Sequence, residues 1–260
     1  MSAEPAAPPS PLPYTGGEGE AVGVALGPGT LVCVDFDDTL VRNQEHFDRA
    51  VDRLCTAVAS VGGAAPAEAR AIFERVDARH HALGRHRNRF ALSVLAAYAE
   101  ATAGAVPPAA LPRLLAIAAL PYDAPPAPLP GVEAALQALR GRHAGPLWLV
   151  STGDAIVQHG RIRRSGLGRF FDAAHVLPAK TPRAFAGLGA GSARRVMIGN
   201  SPATDILPAL AAGYEALYVS RTAWGPDRAP LPSGVPTFPD FPAAVAALLG
   251  ATPAPGLDRA

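Results

Sequence analysis

The chain is short of several things, and each shortage excludes a class of protein. Two cysteines, Cys33 and Cys55, are too few for a disulfide framework. Cys33 lies in an apolar run and reads as a small buried hydrophobe. That usage fits a reducing compartment, so a cytoplasmic location is expected. No run of about 18 uninterrupted apolar residues occurs, so no membrane-spanning helix is expected. The N-terminus lacks a basic stretch followed by an apolar one, so no secretory signal is expected either. Neither sign of charge is in excess: the formal net charge is +1, which provides no electrostatic reason for a nucleic-acid partner.

Alanine, proline, glycine and arginine are abundant, a bias that reflects base composition rather than chemistry and makes alanine-rich helices less informative. The 260 residues suffice for one sizeable α/β domain carrying a large insertion. Residues 1–28 are rich in proline, glycine, alanine and serine and read as a disordered tail, as do residues 251–260. Between the tails, short apolar runs bounded by turn residues predict buried strands at Leu31–Asp35, Pro146–Ser151, Ala174–Leu177, Arg195–Gly199 and Ala216–Ser220. Periodic segments predict helices at Val132–His143, Asp154–Ser165, Thr181–Leu188, Ala203–Ala212 and Phe241–Leu249. Such alternation implies an α/β fold: a doubly wound, Rossmann-like parallel sheet with helices on both faces. Its chemistry gathers at the carboxyl ends of the strands.

The stretch from Val41 to Pro128 breaks the rhythm. It shows no convincing strand, but Phe47–Val61, Pro66–Leu83, Phe90–Ala103 and Leu111–Leu120 all read as helices. The proline-rich run Pro121–Pro130 marks the return to the core. The expected division is a core of residues 29–41 and 129–250, with residues 42–128 forming an inserted α-helical cap.

The residues after each strand then invite chemistry. The first strand ends in Asp35-Phe36-Asp37-Asp38-Thr39, with three carboxylates in four positions. Crowded like charges raise one another's pKa, and a hard divalent cation relieves them. A carboxylate at such a strand end can attack a phosphoryl group, while a second one two residues on handles protons. The alternative is a helix start, with Asp37, Asp38 or Thr39 capping the next helix. The second strand delivers Ser151-Thr152-Gly153-Asp154, either a phosphate cradle at a helix N-terminus or a plain cap. Lys180 follows the third strand, as a phosphoryl-neutralising cation or a surface lysine. Gly199-Asn200-Ser201 and then Asp205 follow the fourth; Asp205 is a metal ligand or a first-turn acid favoured by the helix dipole.

In that order, the four segments resemble the motifs of the haloacid dehalogenase (HAD) superfamily of hydrolases, which are mostly phosphatases. The resemblance spans about Leu31 to Leu249. It implies that Asp35 is the nucleophile and a Mg²⁺ ligand, and that Asp37 is the acid/base and binds the ion through its carbonyl. It implies that Asp205 is the third protein ligand, and that Thr39, Ser151, Thr152 and Lys180 make up the phosphate-binding set, with Thr39 also supporting the motif loop. Asn200 stands where the family commonly has Asp. It can still accept a hydrogen bond from a metal-bound water, but the lost charge implies weaker Mg²⁺ binding. Family dehalogenases do not use the second Asp as a leaving-group acid, so Asp37 argues for phosphate esters or anhydrides.

The expected activity is hydrolysis of a small phosphorylated metabolite through an aspartyl-phosphate. A phosphomutase with the same residues, or a phospholigand-binding protein that kept the fold, are the alternatives. Within the insertion, Arg79-His80-His81 and Arg85-His86-Arg87-Asn88-Arg89 form the densest basic cluster, either a reader of a second substrate anion or a solvated turn. Adjacent histidines on a helix point apart, which argues against metal binding there. Arg42 and Asn43 are placed to touch substrate, and Trp148 and Trp224 read as packing residues, Trp224 alternatively as part of a surface loop.

Overall fold

The computed structural model describes residues 26–84, 86–104, 106–221 and 229–250. Both predicted tails (apart from residues 26–28), Arg85 and Trp224 lie outside the described residues. The core is one six-stranded parallel sheet: β1 (Thr30–Val34), β2 (Leu147–Thr152), β3 (Ala173–Leu177), β4 (Arg194–Gly199), β5 (Glu215–Val219) and β6 (Thr237–Phe238). The order is β3-β2-β1-β4-β5-β6. The chain runs outward from β1 to β3, then crosses back to β4 on the other side of β1. That reversal opens a crevice at the carboxyl end of β1, where ligands bind in open α/β sheets.

The strands are apolar because both faces of the sheet are covered. One face packs Val32, Val34, Leu149, Val196 and Ile198 against helices α5 (Val132–Arg142) and α9 (Phe241–Leu248). The other packs Leu31, Cys33, Val150 and Met197 against Phe185 of α7 (Pro182–Gly187) and Ala209 of α8 (Leu207–Ala211). Cys33 is buried here, and Trp148 packs beside it against His175, ring centroids 4.8 Å apart. Helix α6 (Ala155–Ser165) follows β2 and starts at Asp154, whose Oδ1 accepts from the Ile156 and Val157 N–H groups.

Two departures from the sequence reading have local causes. Strand β6 has only two residues, flanked by prolines, which is too short for a period to register. The helix expected at Ala203–Ala212 opens instead with a π turn, Pro202–Ile206, before α8. Pro208 has no N–H to offer the carbonyl four residues back, so the ordinary α ladder cannot form there.

Between β1 and β2 stands a helical insertion: α1 (Gln44–Ala59), α2 (Pro66–Arg79), α3 (Arg87–Ala101) and α4 (Leu111–Asp123). Helix α4 continues through Pro121, two residues past the expected return point. The insertion buries a hydrophobic cluster of its own, including Leu54, Val58, Ile72, Phe90, Val94 and Leu114. Its entry and exit are stitched together, Leu129 N–H to the Leu40 carbonyl at 2.8 Å and Arg42 N–H to the Ala127 carbonyl at 3.0 Å. No helix among the described residues is long and apolar enough to cross a membrane.

Leu54 is 1% exposed at the centre of the insertion's cluster. Leu54→Ala should therefore cost about 2–5 kcal/mol, through lost transfer energy and a residual cavity. Urea unfolding followed by circular dichroism should show a lower midpoint; an unchanged midpoint would mean that this cluster is not packed as described.

Candidate active site

The floor of the crevice is a buried cluster from three strand ends. Lys180, after β3, sits with its ammonium 2.6 Å from Asp35 Oδ1 and 2.6 Å from Asp205 Oδ1. Its side chain is 1% exposed, and both carboxylates are buried. The remaining oxygens are also held. Thr39 Oγ1 donates to Asp35 Oδ2 at 2.9 Å, and the Ser201 N–H donates to Asp205 Oδ2 at 2.9 Å. Burial, reinforced by the Asp205 charge, pushes the Asp35 carboxyl well above its usual range, while Lys180 opposes that rise. Glycine is required at 199 because a Cβ there would lie 2.5 Å from Asp205 Oδ2.

Asp37 is two residues beyond Asp35 and faces the same cavity. Both of its oxygens are occupied from helix α6. Gln158 Nε2 donates to Oδ2 at 2.6 Å, and Arg161 Nη1 donates to Oδ1 at 2.5 Å. Gln158 Nε2 also lies 2.8 Å from Ser151 Oγ, and Arg161 Nη2 reaches Asn43 Oδ1 at 2.9 Å. Gln158 and Arg161 were not evident from the sequence. They lie on the buried stripe of α6 with Ile162 and Ser165, and polar side chains at such positions were the one available signal.

The other sequence candidates divide. Ser151, Thr152, Lys180, Asn200 and Asp205 line the cavity with Asp35 and Asp37. Thr39 does not: it is fully buried, and its hydroxyl lies against Asp35 and Asn200, so it orients the nucleophile candidate rather than contacting phosphate. Asn200 Oδ1 is 3.2 Å from Thr39 Oγ1. Asn43 lines the cavity, whereas Arg42 turns away to Glu45, 3.5 Å off. Asp38 is the helix-capping carboxylate of the motif. It adopts φ +58°, and its Oδ1 accepts from the Asn43 and Gln44 N–H groups at 3.0 and 3.1 Å, securing the start of α1.

The basic cluster of the insertion disperses. Arg79 pairs with Glu100 on the outer surface. Arg89 pairs with the buried Asp77, to which Ser93 also donates, at 2.7 Å. His80 reaches Ser93 at 3.0 Å and His81 reaches Asp77 at 3.5 Å, so the adjacent histidines do not point apart but meet the same hydrogen-bonded Asp77–Ser93 pair, with no third ligand that would make it a metal site among the described residues. His86 and Arg87 face Asp154 of the core at 3.5 and 4.0 Å, across the mouth of the cavity.

The donor set suits a hard cation. Asp35 and Asp205 share one ammonium, which leaves the buried cluster short of positive charge, and every candidate ligand is an oxygen. Among the described residues no cluster of three or more acidic, histidine or cysteine side chains is gathered into a ready metal site. Asp35 and Asp205 are the two carboxylates that would hold such an ion.

A six-stranded parallel sheet with an acid pair, hydroxyl, lysine and further acid at successive strand ends defines a Rossmann-like hydrolase core. The haloacid dehalogenase-like hydrolase family model matches residues 30–213, and the chain belongs to that family. A haloacid dehalogenase-like family hydrolase from Xanthomonas campestris is similar in structure, with TM-score 0.64 and 25% identity, over 93% of this chain and 97% of that one. The Bacillus subtilis protein YfnB, described as a HAD-hydrolase bound to magnesium, has TM-score 0.59 and 17% identity, over 85% and 98%. A 2-haloacid dehalogenase from Pseudomonas syringae pv. Tomato has TM-score 0.55 and 20% identity, over 84% and 97%. Comparison with curated proteins finds no match.

Lys180→Met should leave two buried carboxylates facing each other without their cation, at a cost of about 3–5 kcal/mol at pH 8. Asp35, already raised, rises further in that variant. Its folded pKa then exceeds its unfolded one, so the variant is relatively stable below the unfolded pKa and loses stability as pH rises through the folded pKa. Urea midpoints measured from pH 4 to 8 should therefore show the gap to the parent protein widening with pH. A constant gap would place the stabilisation elsewhere.

Proposed function

We propose that the protein is a Mg²⁺-dependent phosphatase acting on phosphate monoesters through a phospho-Asp35 intermediate. The observation that carries this reading is Asp37, a carboxylate oriented at both oxygens beside the candidate nucleophile. Attack on a halogen-bearing carbon has no leaving-group proton to supply, whereas an ester oxygen needs one.

The residues divide the work as follows. Asp35 Oδ bonds to phosphorus, and the ester P–O bond breaks. The departing alcohol oxygen takes a proton from Asp37. A water then attacks the phosphorus and releases it from Asp35, giving its proton to Asp37. Over one turnover Asp37 gives up one proton and recovers one, and inorganic phosphate is the product. Lys180 and the Ser151 hydroxyl face the cavity, where they would meet phosphoryl oxygens. Gln158 ties Ser151 to Asp37, so the phosphate-binding and proton-transfer groups share one anchor. A Mg²⁺ ion held by Asp35, the Asp37 carbonyl and Asp205 would neutralise phosphoryl charge. The helical insertion serves as a cap that closes the site against bulk water.

Asp35→Asn should abolish Mg²⁺-dependent phosphate release from a generic aryl ester. Asp37→Asn should lower kcat by about 10²–10⁴-fold while leaving Mg²⁺ binding in place. Release that survives the Asp35 change would remove the covalent mechanism. Because burial and Asp205 raise the Asp35 carboxyl, protons should compete with the ion there: Mg²⁺ affinity measured by calorimetry should fall as pH drops from 8 to 6, with proton release on binding. Asn200→Asp should tighten Mg²⁺ in the same titration.

A further inference from the structure

The cavity is larger than the reaction requires. It encloses about 820 Å³ between the strand ends and the insertion, enough for a ligand well beyond a phosphoryl group. Its insertion-side wall is aromatic. Phe47, Phe73, Phe90 and Tyr122 all line it. They pack edge to face around Phe90, with centroid separations of 5.0 Å to Phe47, 5.7 Å to Phe73 and 6.4 Å to Tyr122. Phe90 and Phe73 are buried behind, while Phe47 and Tyr122 are only partly covered and present surface to the cavity.

The cations around that wall already have acidic partners. Arg89 pairs with Asp77, Arg70 with Asp52, Arg161 with Asp37, and His86 and Arg87 face Asp154. A second anion on the substrate would have to break one of these pairs. It would also enter a cavity lined by eight carboxylates and five lysine or arginine side chains. Tyr122 adds one neutral donor. Its hydroxyl has no hydrogen-bond partner among the described residues, and burial pushes it up to about 12, so it keeps its proton. The charges acting on it belong to Arg89, Asp77, Arg161 and Asp154, all on the cavity wall, and the last two are core residues. Arg164 of α6 donates to the Tyr122 carbonyl at 3.0 Å, which holds this end of the insertion against the helix that carries Gln158 and Arg161.

We propose that the alcohol portion of the ester carries an aromatic ring, seated against Phe47 and Tyr122, and no second strong anion. The inference rests on the phosphatase reading for the orientation of the ester, with its phosphoryl group toward Lys180 and its ring toward the insertion. Edge-to-face contact with Phe47 and Tyr122 supplies the preference for a ring over a short alkyl chain.

The test uses the full chain in Mg²⁺ buffer and four phosphonates of equal chain length, titrated by calorimetry: 3-phenylpropyl-, n-propyl-, 3-carboxypropyl- and 3-aminopropylphosphonate. The phenyl compound should bind at least tenfold more tightly than each of the others. Phe47→Ala should bring the phenyl-to-propyl ratio toward one, and the milder Phe47→Leu should lower it in part. Equal affinities, tighter binding of the carboxy or amino compound, or no binding of any of the four overturns the inference. Phosphate release from the matching phosphate esters is measured alongside. Absence of turnover with the binding preference intact would remove the phosphatase reading and leave the ring site standing. Turnover with no preference in binding would do the reverse.

Discussion

A single ammonium holds the site together. Lys180 reaches from the end of β3 to carboxylates that follow β1 and β4, and it is buried with them. Two carboxylates brought together away from water repel each other at high cost, and desolvation adds to it. The fold tolerates the pair because the lysine lies between them and because Thr39 and the Ser201 N–H take up the outer oxygens. The strand order then has a consequence. Since β1 lies between β2 and β4, with β3 beyond β2, Asp35 and Asp205 follow neighbouring strands, and Lys180 reaches across the end of β2 to meet them. The π turn after β4 and the bare backbone at Gly199 complete the approach by letting Asp205 fold back over the strand.

A second layer of order comes from α6. Gln158 and Arg161 fix Asp37 from one side, and Arg161 continues to Asn43 at the entrance to α1. The same carboxylate is thus tied to the start of the insertion. Asp38 adds a further tie, with its side chain on the Asn43 and Gln44 amides. Movement of α1 would be felt at Asp37 through these contacts. Tyr122 and Arg164 join the other end of the insertion to α6, the Tyr122 carbonyl accepting at 3.0 Å.

Much of this could be read in the amino-acid order. Five of the six strands carry apolar runs because they are covered on both faces, and the residues that follow them stood out as polar breaks in those runs. Asp35, Asp37, Ser151, Lys180 and Asp205 were all visible in that way. Gln158 and Arg161 were not, since a helix with scattered arginines looks amphipathic whichever face it buries. The position of Thr39 was legible but its contact was not; a hydroxyl next to three acids can orient a carboxylate as readily as a phosphate. The basic stretch around Arg87 illustrates the limit most clearly. Its charges are adjacent in sequence, but they divide among three carboxylates, Glu100, Asp77 and Asp154, the last across the cavity mouth, and only the folded chain shows those partners.

The stitched entry and exit of the insertion have an implication for how such a chain can change. Because Leu40 and Arg42 pair with Leu129 and Ala127, about ninety residues leave and rejoin the sheet at adjoining points. To the core, the excursion resembles a surface loop, and lengthening a loop adds closure entropy only logarithmically. The core's own cluster shares no residue with the insertion's. Substitutions, extensions or wholesale exchange of that module can therefore accumulate without retuning the strands beneath, so selection can act on what the enclosure admits while the acid-and-lysine floor stays as it is.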